Sequence, residues 1–133
     1  MAKRILFVEE DAQFRVVFAY AIREALADEG LEVAFVESGT LAEARARLRE
    51  GGLHAALIDV SMPDGDGLDL VAEIHDGGVG SPIPTMVLTA SLETSVAGRA
   101  IEQGARGALS KLASMPETVD AIKRLTDADR YSA

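Results

Sequence analysis

Asp59 closes an apolar run, Ala55-Ala56-Leu57-Ile58, and leads at once into a turn-forming segment, Ser61-Met62-Pro63-Asp64-Gly65-Asp66-Gly67. A carboxylate at the end of a buried strand is poorly placed for packing and well placed for chemistry. Its partial desolvation must be offset by a metal ion, a cation or a proton. Candidates stand after the other apolar runs: Glu9 and Glu10, then Thr89 and Ala90, then Lys111. Clustered carboxylates repel one another, and a hard divalent cation such as Mg²⁺ relieves that repulsion with oxygen ligands. With the ion held, Asp59 is a candidate nucleophile toward phosphorus, forming an acyl phosphate. The ion and Lys111 could neutralise the phosphoryl oxygens, and Thr89 could hydrogen-bond one of them. The chain has only three lysines, Lys3, Lys111 and Lys123, and one of them falls beside this set.

Those residues are positioned by a regular alternation of short apolar runs and helical periodicity. Ile5 to Val8 is a continuous apolar run that suits a buried strand. From Asp11 to Asp28, apolar residues recur at three- and four-residue spacing, which predicts an amphipathic helix capped by Asp11 and stopped by Gly30. Leu31 to Val36 reads as a strand nearer an edge. Thr40 to Arg49 reads as a helix, and Ala55 to Val60 as the central strand. Gly67 to His75 is helical, Thr85 to Leu88 a strand, and Leu92 to Gln103 a weaker helix. Ala108-Leu109 is a short last strand, and Met115 to Leu125 the final helix. Five strand–helix units of this length predict a parallel sheet with helices on both faces, a three-layer α/β domain. Ligands of such sheets bind outside the carboxyl ends of the strands. The three carboxylates, the Thr89 hydroxyl and the Lys111 ammonium all fall at those ends.

The bulk properties narrow the class. A chain of 133 residues with 48% hydrophobic residues suits one domain with a core, spanning about residues 3–126 with a short tail at 127–133. The net charge of −9 argues against a nucleic-acid surface and reads as a solubility feature. The absence of cysteine excludes disulfides and thiolate zinc sites. No apolar run reaches the roughly 20 residues that span a bilayer. Glu9, Glu10 and Asp11 end the N-terminal apolar stretch too early for a signal peptide. A soluble cytoplasmic protein is expected.

The segments Val8-Glu9-Glu10, Leu57-Ile58-Asp59-Val60-Ser61-Met62-Pro63-Asp64-Gly65-Asp66-Gly67, Leu88-Thr89-Ala90 and Gly107-Ala108-Leu109-Ser110-Lys111 together resemble the receiver domain of two-component response regulators. The resemblance runs from residue 3 to about residue 126. It implies a flavodoxin-like, CheY-like fold with strand order 2-1-3-4-5, and Mg²⁺-dependent phosphorylation of Asp59 by a histidine kinase or phosphotransfer protein. It implies that Glu10, Asp59 and the Ser61 backbone carbonyl contact the ion and that Glu9 does so through water. Thr89, Ala90 and Lys111 take the phosphoryl and switch positions. Such a domain is a phosphoacceptor with self-phosphorylation and autodephosphorylation chemistry, not an enzyme acting on other substrates. Its output is a changed protein surface, here the face of the fourth helix, fifth strand and fifth helix. That face carries Arg99, Glu102, Arg106, Lys123 and Arg124, which suits a transient effector contact or a homodimer.

Three positions depart from the family pattern. The acidic pair is Glu9-Glu10, where the family most often has at least one Asp and commonly two. Leu112, not Pro, follows Lys111, and a non-proline cis bond costs about 3–4 kcal/mol, so a trans peptide is expected. Ala108 stands where the family has a switching aromatic. These departures keep open a second reading, a degenerate receiver that acts as a phosphorylation-independent docking module. Asp64-Gly65-Asp66-Gly67 lacks the distal Glu of a calcium loop and reads as a turn with glycines at positive φ and Asp66 as a helix cap. No glycine-rich phosphate loop follows the first strand, which disfavours a nucleotide or redox enzyme. His54 and His75 read as surface residues. The chain either stands alone or is a segment of a longer regulator.

Overall fold

Continuous apolar runs on the central strands build a sheet buried on both faces, and amphipathic helices supply both covers. The structure, a computed structural model, describes residues 2–90 and 94–127. In chain order the elements are β1 (Lys3–Val8), α1 (Ala12–Ala27), β2 (Val33–Ser38), α2 (Leu41–Glu50), β3 (Ala55–Asp59), β4 (Ser61–Met62), β5 (Gly65–Asp66), α3 (Gly67–His75), β6 (Thr85–Thr89), α4 (Thr94–Glu102), β7 (Ala108–Ser110) and α5 (Met115–Thr126). The main sheet runs β2-β1-β3-β6-β7, and all its pairings are parallel. With the small β4–β5 pair set aside, this is the expected 2-1-3-4-5 order.

Successive residues of each strand face opposite layers. Leu6, Val8, Ala56, Ile58 and Val87 pack with Leu41, Leu48, Val71 and Ala100 of α2, α3 and α4. Ile5, Phe7, Leu57 and Leu88 pack with Ile22, Leu26, Ile122 and Leu125 of α1 and α5. Asp11, Thr40, Asp66 and Ser114 cap four helices, each accepting a hydrogen bond from a first-turn amide.

Two local readings need correction. The second strand is Val33–Ser38, not Leu31 to Val36. Leu31 is spent in closing α1: its amide donates to Leu26 O at 2.9 Å, next to Gly30 at φ +81°. The segment after Asp59 is more than a turn, because Ser61 and Met62 pair antiparallel with Asp66 and Gly65. The fourth helix is described from Thr94, so the first residues of its expected span, Leu92 and Glu93, lie outside the described residues. His54 and His75 are both exposed.

Candidate functional site

Four parallel strands end beside one another and deliver the site. β1 and β3 are register partners through Val8 and Ile58, so Glu9 and Asp59 emerge side by side. β3 and β6 pair through Asp59 and Leu88, and β6 and β7 through Thr89 and Ser110, which brings Thr89 and then Lys111 to the same rim. The Lys111 amide also donates to Thr89 O at 2.8 Å and fixes where that loop leaves the sheet. Glu9, Glu10, Asp11, Asp59, Val60, Ser61, Thr89, Ala90 and Lys111 line one cleft of about 370 Å³. All residues singled out from the sequence are therefore brought together.

Within the cleft the acids are not equivalent. Glu9 is 1% exposed and Asp59 5%, whereas Glu10 lies at the surface. The Lys111 ammonium is 2.7 Å from Asp59 Oδ2 and also donates to Glu9 Oε1. The remaining oxygens are occupied too. Asp59 Oδ1 accepts from the Ser61 amide at 3.1 Å, and Glu9 Oε2 accepts from the Asp11 amide at 3.1 Å. Thr89 is buried at the end of β6, and Ala90 is exposed. The Leu112 side chain points to solvent, and no cis peptide occurs among the described residues. Lys111 reaches both acids without the family proline.

Burial pushes the Asp59 carboxyl above its ordinary value, and the neighbouring Glu9 charge acts the same way. The hydrogen bonds from Lys111 and Ser61 oppose that rise without cancelling it. Burial disfavours the Lys111 ammonium, but its bonds to Asp59 and Glu9 outweigh this and raise its pKa. Two carboxylates thus share one ammonium. Carboxylate oxygens and a backbone carbonyl are the donors that a hard divalent cation takes, so the set fits Mg²⁺ in kind. Among the described residues, no three acid or His side chains stand close enough to hold an ion by themselves.

Other residues support the site without a signal in the motif reading. Phe14 on α1 lies with its ring centroid 5.0 Å from Lys111 Nζ, a cation–π contact. Arg15 Nη1 donates to Glu9 O at 2.5 Å while its Nε bonds Glu37 at 2.8 Å, which pins the end of β1. Asp64 moors the β4–β5 pair to α2 by accepting from the amides of Leu41 and Ala42. Gly67 has no positive φ, in contrast to Gly65 at φ +149°. Its requirement is space, because a Cβ there would run into the Asp59 carbonyl oxygen.

The response regulator receiver domain model matches residues 5–123. The chain belongs to this family. The receiver domain is 32% identical over 119 residues to the swarming motility regulation protein RssB of Serratia marcescens, covering 90% of this chain and 51% of that protein. It spans about half the length of the curated relatives it matches. Among solved structures it resembles the signal receiver domain of the putative response regulator NarL from Mycobacterium tuberculosis. That match has 25% identity and a TM-score of 0.77, covering 98% of each chain. A response regulator from Burkholderia pseudomallei with a phosphorylated aspartic acid, calcium ion and citrate shares the fold. It matches at 22% identity and TM-score 0.71, over 96% of this chain and 68% of that one. No helix among the described residues of the receiver domain is long and apolar enough to cross a membrane.

Proposed function

We propose that this receiver domain accepts a phosphoryl group on Asp59 from the phosphohistidine of a kinase or phosphotransfer protein, and that the modified surface then engages a protein effector. The observation that carries the reading is the Asp59–Lys111 pair in a cleft also lined by Thr89 and the two glutamates. One Asp59 oxygen forms a bond to phosphorus as the donor's P–N bond breaks. The electron pair stays on the donor imidazole, which takes up a proton. The Lys111 ammonium offsets charge on the phosphoryl oxygens, and the Thr89 hydroxyl is placed to hydrogen-bond one of them. Glu10, Asp59, the Ser61 carbonyl and Glu9 would hold Mg²⁺. When bound, that ion would add positive charge beside the transferred group.

The chain's own chemistry is then gain and loss of its phosphoryl group, in the cytoplasm, with no direct contact to nucleic acid or membrane. A groove of about 540 Å³ between α1 and α5 runs up to Lys111 and is lined by Phe14, Val17, Phe18 and Met115. Its apolar character and its continuity with the acid cleft support docking of the donor there. The α4–β7–α5 face, with exposed Arg99, Glu102, Arg106 and Arg124, is the output surface for an effector or a second copy.

Incubation with acetyl phosphate and Mg²⁺, followed by intact-mass measurement, tests the reading. One added phosphoryl group is expected on the wild type and none on Asp59→Ala, while Glu10→Ala weakens Mg²⁺ binding. Ala108, which removes the switching ring, favours the docking module as the second reading. Absence of any Asp59-dependent gain, with acetyl phosphate and with a cognate kinase, would leave that module standing.

A further inference from the structure

We propose that Phe14 is a positioning residue for phosphoryl transfer, holding the Lys111 ammonium at the cleft while the groups on its other side change. The proposal rests on the reading that Asp59 accepts a phosphoryl group. Lys111 ends in an ammonium on a flexible four-carbon stem, and the residue after it, Leu112, turns its side chain to solvent. Its ionic anchors are Asp59 and Glu9. Asp59 loses its carboxylate charge when one of its oxygens bonds to phosphorus. Phe14 supplies an anchor that the reaction leaves alone: its ring centroid lies 5.0 Å from Lys111 Nζ. The ring is uncharged, so it attracts the ammonium without competing for it as a third carboxylate would.

Phe14 itself is held from two directions. Its amide donates to Asp11 Oδ1 at 3.1 Å, and the Asp11 amide donates to Glu9 Oε2 at 3.1 Å, so the start of α1 is tied to the buried acid. Its ring packs on Phe18 at 5.4 Å between centroids, Phe18 packs on Phe7 at 5.1 Å, and Phe7 on Phe35 at 5.9 Å. The chain has four phenylalanines, and all four form this one array, which runs from the sheet to the cleft. Phe7 is fully buried, and Lys111 stands beside the ring at the cleft end. Leucine would fill the same apolar space as Phe14, but only an aromatic face attracts a cation.

Two measurements on the purified domain test this. The first is the rate of phosphoryl gain from acetyl phosphate and Mg²⁺, in which the P–O bond to acetate breaks as the Asp59 oxygen bonds to phosphorus. It is followed by intact mass in the wild type, Phe14→Leu and Phe14→Tyr. The second is the NMR shift of the Lys111 ε-methylene protons in the same proteins, with Lys3 as the reference. Phe14→Leu is expected to gain the group about two- to fivefold more slowly, the size of a part-exposed cation–π contact. Phe14→Tyr keeps the ring and is expected to gain it at the wild-type rate. The Lys111 protons are expected upfield of those of Lys3 in the wild type and Phe14→Tyr, and level with them in Phe14→Leu. If Phe14→Leu is modified as fast as the wild type, or Phe14→Tyr is as slow as Phe14→Leu, the positioning role is overturned while the acceptor reading survives. If no protein gains the group, from acetyl phosphate or from a cognate kinase, the acceptor reading falls and the role of Phe14 with it. Should Phe14→Leu not fold, the wild-type spectrum decides alone: an upfield shift at Lys111 supports the proposal, and its absence overturns it.

Discussion

Asp64 accepts the amide hydrogens of Leu41 at 2.8 Å and of Ala42 at 3.0 Å, and so closes the start of α2 from 23 residues further along the chain. Thr40 already caps that helix through its own hydroxyl to the Glu43 amide. The second cap has a different use. It fastens the tip of the β4–β5 pair, which begins two residues after Asp59, to α2, whose Leu41 packs in the same core layer as Met62. The loop that presents the Ser61 backbone to Asp59 is thereby held at both ends.

This cap makes a prediction about acid. The two backbone hydrogen bonds to Asp64, that from Leu41 foremost, hold its carboxyl below the ordinary value of 3.8. A depressed folded value means the unfolded chain binds the proton more readily. The contribution is then complete above the ordinary value and is lost as pH falls through the folded one. Asp64→Asn keeps an acceptor and loses the titration. Its unfolding midpoint in urea should fall less steeply below about pH 4 than that of the wild type. Parallel curves for the two proteins would count against the cap.

Gly67→Ala should damage the acceptor strand itself. The added Cβ would strike the carbonyl oxygen of Asp59 and approach its carbon to 2.9 Å and Ile58 Cγ2 to 3.0 Å. Backbone atoms of a fully buried strand cannot give way, and the Gly67 amide is already bonded to Val60 O at 2.7 Å. Overpacking of this kind costs about 1–3 kcal/mol in ordinary cores and more against backbone. Thermal unfolding should show a loss at the upper end of that range or complete failure to fold. The same substitution at Gly98, which has open space around it, should cost far less.

The contrast between these glycines shows what the sequence carries. Strand and helix types, the order of the sheet and the meeting of Glu9, Asp59, Thr89 and Lys111 follow from local periodicity plus one topological rule. Apolar runs and strand ends are local, so they are legible. Gly67 looked like a turn residue because its neighbours are turn residues. Its real constraint is a carbonyl eight positions earlier, brought close only by the packing of α3. Asp64 reads the same way, as one polar turn residue among several, until α2 is placed beside it. The inequality of Glu9 and Glu10 was hidden for a related reason. The two share chemistry and differ only in which side of β1's end faces Lys111.

Ser38 offers a test in the stabilising direction. Its Oγ is buried at the end of β2 without a hydrogen-bond partner among the described residues. A desolvated hydroxyl with no partner costs about 1–3 kcal/mol, and its removal leaves only a small void. Ser38→Ala should raise the urea midpoint by an amount equivalent to about 1 kcal/mol, with the slope unchanged. A loss of stability would mean the hydroxyl has a partner that holds β2 in place.

The sharing of one ammonium between two buried acids predicts unequal costs for removing charge. Glu9→Gln relieves the repulsion between the acids and leaves Lys111 paired with Asp59, so the loss should stay below about 1 kcal/mol. Asp59→Asn leaves Lys111 paired with Glu9 and should behave alike. Lys111→Met instead leaves both carboxylates desolvated with no cation. Breaking a buried pair by removing one partner costs about 3–5 kcal/mol, and here two partners are orphaned. Denaturant unfolding without divalent ions should rank Lys111→Met well below the two amide variants. Adding Mg²⁺ should recover more stability in Lys111→Met than in the wild type, because ligand stabilisation grows with affinity for the folded state. Equal losses for all three variants would show that the ammonium is not shared, and that Asp59 and Glu9 are compensated separately.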